Sequence, residues 1–171
     1  MLETLRSARV DHAVILSGGA AAVVREELGV EPEDFVRGTP TVYADNDLGA
    51  PIASGSRRTR GMAVVPCSTN TVAKIALGLS DTLITRVAHV HLKEHRPLVI
   101  VPRETPLSAI ELAHLTRLAE LGVVVLMASP PYYLHPKQVQ DQVDFLAGKV
   151  LDHLGIPHRL YRGWREEGPS S

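Results

Sequence analysis

Short apolar, β-rich runs alternate along this chain with longer segments that read as helices. Residues 12–16, 62–65, 98–101 and 123–127 are compact apolar stretches of the kind that form buried strands. Helices are expected over residues 2–9, 20–28, 83–94, 108–121 and 138–154, with another running from the turn Pro66-Cys67-Ser68-Thr69 through Leu77. Ser108 and Glu111 have the spacing of a capping box, which marks a helix start. Segment 32–60 is rich in Gly, Pro, Asp and Ser and reads as irregular. Strands alternating with helices of this length imply a parallel sheet covered on both faces. The expected fold class is therefore α/β: a Rossmann-like, doubly wound parallel sheet in three α/β/α layers. No internal repeat and no dividing linker is present, so one domain is expected over residues 1–165. Residues 166–171 read as a frayed tail.

Composition narrows the setting. Hydrophobic residues make up 44% and aromatic residues 4%, which suits an Ala/Val/Leu-rich α/β core and argues against disorder. The net charge is -1 with its cations scattered, so no nucleic-acid footprint is seen; Arg57, Arg58 and Arg60 form too short a cluster. Cys67 is the one cysteine, which excludes an intrachain disulfide and fits a reducing compartment. No run is long enough to span a membrane, and the first residues lack the apolar core of a signal peptide. A soluble, cytoplasmic protein is expected.

Chemistry-bearing residues gather near the expected strand ends. Arg103 and Glu104 follow the strand 98–101 directly, set between Pro102 and Pro106. Ligands of open parallel sheets bind beyond the carboxyl ends of strands, where an Arg and a Glu can hold an anion and move a proton. Such a pair on its own is more often a surface ion pair. Ser68, Thr69, Asn70 and Thr71 lie between a strand end and a helix start, a place that suits phosphate and equally suits an ordinary N-cap. Arg86, His89 and Lys93 share one helix face, which by itself reads as solvated. Tyr132 and Tyr133 fall in a Pro-rich loop after the last strand, able to line a pocket or to pack on the sheet. The eight histidines form no clean ligand set, so no metal is expected. Cys67 reads as a small buried hydrophobe. There is no nucleophile elbow and no Walker loop.

Five segments carry a family pattern. Ala53-Ser54-Gly55-Ser56, Pro66-Cys67-Ser68-Thr69, Leu92-Lys93-Glu94-His95-Arg96-Pro97-Leu98-Val99, Arg103-Glu104-Thr105-Pro106, and Tyr133 ahead of Pro136 occur in this order. From Leu2 to Trp164 the chain resembles the UbiX-type flavin prenyltransferases, formerly called phenylacrylic acid or 3-polyprenyl-4-hydroxybenzoate decarboxylases. The resemblance implies an FMN-binding flavoprotein fold and no metal. It implies transfer of a dimethylallyl group from dimethylallyl monophosphate to N5 and C6 of reduced FMN. The prenylated FMN would serve a UbiD-type decarboxylase, as in ubiquinone biosynthesis. Ser17, Ser68, Thr69, Asn70, Thr71 and Arg103 match FMN-contacting positions. Glu27 and Glu104 match the acidic residues of the reaction centre. Lys93, Arg86 and Tyr133 match residues that handle the prenyl phosphate. A homo-oligomer is implied, a dodecamer built from trimers with sites at subunit junctions.

Two departures from the family pattern stand out. Lys149 occupies a position on the last helix where the family usually has arginine, keeping the charge but losing the bidentate fork. The family also begins with a strand and a Gly-x-Ser-Gly-Ala loop, whereas this chain starts in the helix that follows. A gap inside the sheet and weakened flavin binding are the expected consequences, with activity restored by the upstream strand. Two alternatives share the fold: an FMN-dependent cysteine decarboxylase, against which the Lys-Glu-x-Arg-Pro-Leu and Arg-Glu-Thr-Pro motifs speak, and a non-catalytic flavin-binding or scaffold subunit.

Overall fold

The expected alternation of strands and helices is realised from the first residues onward. Helix α1 (Leu2–Ser7) precedes strand β1 (Ala13–Leu16), and α2 (Gly18–Val23) continues as a π-helical turn, Val24–Leu28. There follow α3 (Pro32–Phe35), β2 (Thr41–Ala44), β3 (Met62–Cys67), α4 (Thr69–Leu77) and α5 (Leu83–Lys93). The chain ends in β4 (Leu98–Pro102), α6 (Ala109–Glu120), β5 (Val124–Val125) and α7 (Val139–His153). This computed structural model describes residues 1–162 of 171, so Trp164 and the tail 166–171 lie outside the described residues.

The layers follow from β4, which is buried at every position. Successive strand side chains point to opposite faces. Leu98 and Ile100 join Val64, Val72, Ile75, Leu115 and Leu118, and so pack under α4 and α6. Val99 and Val101 face the other way, onto Val150 of α7. Helix α1 lies beside α7, with Leu5 against Leu151 and Ile156. Helices thus cover both faces, as a parallel sheet requires. Ile100 is fully buried in the central strand. Ile100→Ala should cost about 2–5 kcal/mol, read as a lower urea midpoint at unchanged slope. A midpoint equal to wild type would show that this core is not the one holding the domain together.

Segment 32–60 departs from its expected irregularity. It contains β2, which pairs in parallel with β1, Thr41 opposite Ala13 through Ala44 opposite Leu16. Only four residues long and largely exposed, β2 has no apolar signature of its own; pairing with β1 makes it a strand. β5 is shorter than the expected strand, yet Leu126 and Ala128 donate onward to the carbonyls of Ile100 and Pro102 at 2.9 and 3.2 Å.

All pairings among the described residues are parallel, but they form two sheets, β1-β2 and β3-β4-β5. Helix α5 holds the two parts together, because its Leu83 and Val87 pack against Ile15 and Tyr43 on one side and Met62 on the other. Its first turn is also tied to the end of β2, with Leu83 and Ile84 donating to the backbone and side chain of Asp45 at 2.7 and 2.8 Å. No helix among the described residues is long and apolar enough to cross a membrane.

Candidate functional site

Three strand ends deliver polar residues to one edge. β1 passes into Ser17 and α2, β3 into Ser68 and α4, and β4 into Arg103 and Glu104. Cys67 lies opposite Pro102, so Ser68 and Arg103 emerge from adjacent strands, roughly 4.8 Å apart in the pairing direction.

Both serines are N-caps. Ser17 accepts from the Ala20 N–H at 3.1 Å, and Ser68 accepts from the Thr71 N–H at 3.2 Å while bonding the Thr71 hydroxyl at 3.0 Å. The ordinary capping role of Ser68 is therefore realised. Capping leaves other donors over. The N–H groups of Gly18, Gly19, Thr69 and Asn70 have no acceptor among the described residues, as the first turn of a helix dictates. An added Cβ on Gly18 would meet nothing within 4 Å, so a ligand can approach that backbone closely. Nine-residue α4 adds the positive end of its dipole beside an arginine.

Arg103 is not a lone cation. Its guanidinium donates to both carboxylate oxygens of Glu27, at 3.0 and 2.8 Å. Glu27 sits in the π-helical turn that follows α2, so this bidentate pair joins the β1 side of the fold to the end of β4. Hydrogen bonding from Arg103 holds the Glu27 carboxyl below the usual carboxylate range, and Glu27 in turn raises Arg103. Glu104 turns beside them and accepts from the Thr105 N–H at 3.1 Å. Cys67 is buried beneath this edge, and burial pushes its thiol up to about 12, which excludes it as a thiolate nucleophile near neutral pH.

The cations of α5 lie elsewhere. Lys93 closes α5, and the chain then turns directly into the start of β4, whereas Arg103 follows the end of that strand. The five residues of β4 alone separate the two by roughly 16 Å. Within one copy, Lys93 and Glu104 therefore do not share a site. Arg86 and Lys93 are both exposed, whereas His89 between them is half-buried and bonds the Ile75 carbonyl of α4 at 3.1 Å. That contact ties helix to helix, so the face the three share is solvated at Arg86 and Lys93 but not at His89.

Tyr133 packs on α7 one turn from Lys149. The Tyr133 ring meets Phe145 edge-on, centroids 6.3 Å apart, and Lys149 is one turn further along. Phe145 belongs to no motif in the sequence; its spacing of four from Lys149 is the signal that points to it.

A family model described as Flavoprotein matches residues 1–151. A flavin prenyltransferase UbiX of Thermoplasma acidophilum is 45% identical over 164 residues, covering 95% of this chain and 89% of that protein. This chain belongs to the UbiX-type flavin prenyltransferase family. Two solved structures of similar proteins superpose on nearly all of it. AnUbiX (PadA1), in complex with FMN and dimethylallyl pyrophosphate, is 36% identical with a TM-score of 0.93, covering 98% of this chain and 89% of that one. A dodecameric FMN-dependent UbiX-like decarboxylase from Escherichia coli O157:H7 is 38% identical with a TM-score of 0.93, covering 96% and 89%.

In this UbiX-type chain the Lys93-Glu94-His95-Arg96-Pro97 motif divides its labour. Lys93 projects into solvent, with Glu94 3.9 Å away. Arg96 instead donates to the carbonyls of Gly55 and Arg57 at 2.6 and 2.8 Å, and the Glu94 side chain lies against the Gly55 backbone. His91, neutral through burial, accepts from the Thr59 hydroxyl at 3.0 Å. The Ala53-Ser54-Gly55-Ser56 motif is thus clamped beside Lys93, so two segments of the UbiX-type pattern that are distant in sequence form one structural unit.

Proposed function

We propose that this chain transfers a dimethylallyl group from dimethylallyl monophosphate to N5 and C6 of reduced FMN, giving prenylated FMN for a UbiD-type decarboxylase. The observation that carries this reading is family membership joined to close superposition on a relative holding FMN and a dimethylallyl phosphate ester. The donor set at the strand ends fits FMN. Free N–H groups of two helix starts, the Ser17 and Ser68 hydroxyls and the Arg103 guanidinium suit a phosphate and a polar ring edge. Thr69, Asn70 and Thr71 supply the rest of that contact. When bound, reduced FMN supplies the nucleophilic positions.

The residues divide the remaining work. The carbon–oxygen bond of the allylic phosphate breaks with its electron pair going to phosphate, so cations must stabilise that departing charge. Lys93, Arg86 and Lys149 take this role, and Tyr133 adds a hydroxyl. Arg103 keeps Glu27 ionised, so Glu27 opposes positive charge on the allylic group rather than donating a proton. Glu104 is left as the proton-transfer group, able to accept a proton from the alkylated ring system and pass it to phosphate.

Because Lys93 lies away from Glu104 in one copy, the complete site needs two copies. This supports a homo-oligomer with sites at subunit junctions, and the dodecamer of the E. coli relative is the assembly we assign. We also read residues 1–165 as one domain and the protein as cytoplasmic.

The test is direct. The purified chain is loaded with FMN, reduced, and given dimethylallyl monophosphate. Extracted flavin should gain the mass of one dimethylallyl group and show a shifted spectrum. Flavin that binds but returns unmodified would overturn transfer in favour of a decarboxylase or a carrier subunit. A colourless protein that takes up no FMN would overturn both.

A further inference from the structure

We propose that Asp152 is a positioning residue that, through Tyr161 and Phe145, sets where Tyr133 and Lys149 meet the prenyl phosphate. This rests on the functional reading above and adds residues that the family pattern did not point to.

Asp152 stands on the last turn of α7 and gathers three partners. Tyr161 donates its hydroxyl to Oδ2, His158 Nε2 lies 2.9 Å from Oδ1, and Lys149 Nζ lies 3.8 Å from Oδ2. His158 Nδ1 accepts from the Leu160 N–H at 3.1 Å, so the hydrogen of a neutral ring sits on Nε2 and is donated to Asp152. The segment after α7 is thereby folded back onto the helix. Gly148 permits the close approach. A Cβ there would stand 2.5 Å from Tyr161 Cδ1 and 2.7 Å from His158 Cε1. Glycine weakens a helix interior, so its place in a fifteen-residue helix needs such a reason.

The docked Tyr161 ring then meets Phe145, centroids 5.0 Å apart at 66°, and Phe145 meets Tyr133 at 6.3 Å and 89°. Edge-to-face pairs of this kind fix ring orientation. Tyr133 lies in a short 3-10 turn, Tyr132–Leu134, between Pro131 and Pro136, and its edge contact with Phe145 seats that turn on α7. Lys149, one turn from Phe145, is held on its other side by Asp152. One carboxylate therefore sets both groups that we assign to the phosphate.

The experiment uses the full chain with saturating reduced FMN. Asp152→Ala should raise KM for dimethylallyl monophosphate about tenfold, with kcat within about twofold and FMN affinity at the wild-type value, as expected when ground-state binding is lost. Asp152→Ala combined with Lys149→Ala should raise KM beyond Lys149→Ala alone through the Tyr133 arm, yet by less than the product of the two single effects, because the Lys149 arm is shared. Should Asp152→Ala fold poorly, Tyr161→Phe removes one hydroxyl and should raise KM severalfold. Rescue of the Tyr161→Phe defect is not expected from Lys149→Arg, which alters a different arm. An unchanged KM in Tyr161→Phe, or KM effects of Asp152 and Lys149 that multiply in full, would overturn the proposal. A wild-type chain that transfers no prenyl group would instead overturn the functional reading.

Discussion

Mixed oligomers assembled from equal amounts of Lys93→Ala and Glu104→Gln chains should recover about a quarter of wild-type transfer if each site draws one residue from each of two symmetry-related copies. Each homogeneous variant should lose about a hundredfold or more, the usual loss when a cationic stabiliser or a proton-transfer group is removed. The motivation is the separation of the two residues along β4: Lys93 precedes the strand and Glu104 follows it. With random mixing, one site in four receives an intact Lys93 from one copy and an intact Glu104 from the other. Glu104→Gln keeps the side-chain shape, so its flavin content should stay near wild type. The measurement is single-turnover prenyl transfer by the two homogeneous proteins and by their mixture after co-refolding. A mixture no more active than its components would mean that one copy holds both residues, and the junction site would have to be abandoned.

Arg103→Ala should have two separable consequences. If Arg103 contacts the flavin phosphate, losing a charge-assisted hydrogen bond of about 1.5–3 kcal/mol weakens FMN binding by roughly tenfold or more. The second consequence passes through Glu27. In the wild type, hydrogen bonding from Arg103 lowers the Glu27 carboxyl, so it stays ionised to a lower pH than an ordinary glutamate. Removing Arg103 lets it return toward the ordinary range. Protonation then begins at a higher pH, and the acid limb of the kcat profile should move upward. Glu27→Gln on its own should flatten that limb. Equilibrium titration with FMN and a kcat–pH series separate the two effects. Unchanged FMN affinity would remove Arg103 from the flavin site while leaving the Glu27 assignment standing. An unmoved acid limb would sink the Glu27 role.

Much of this molecule is legible in local pattern. The apolar run at β4 marks a strand buried on both faces, and Ser108 with Glu111 forms the capping box its spacing announces. Ser17, Ser68 and Arg103 appear at strand ends because strands that alternate with helices leave their carboxyl termini on one edge. The family motifs identify the family, since they are a few residues of fixed type and spacing. Phe145 and Asp152 were harder to find, because an aromatic ring and a carboxylate on an amphipathic helix have many ordinary uses.

What the amino-acid sequence determined by itself is the order of β1, β3, β4 and β5 and of the longer helices between them, the polar residues that each of these strands delivers, and the family to which they belong. Those properties depend on neighbours a few residues apart, through hydrophobic period, capping and turn chemistry. Tertiary structure alone decided the rest. It made β2 a strand by pairing four weakly apolar residues with β1. It joined Glu27 to Arg103 across 76 residues and turned His89 inward onto the end of α4. Contacts of that range are set by how layers stack and which way each strand runs, and no local window of sequence encodes them.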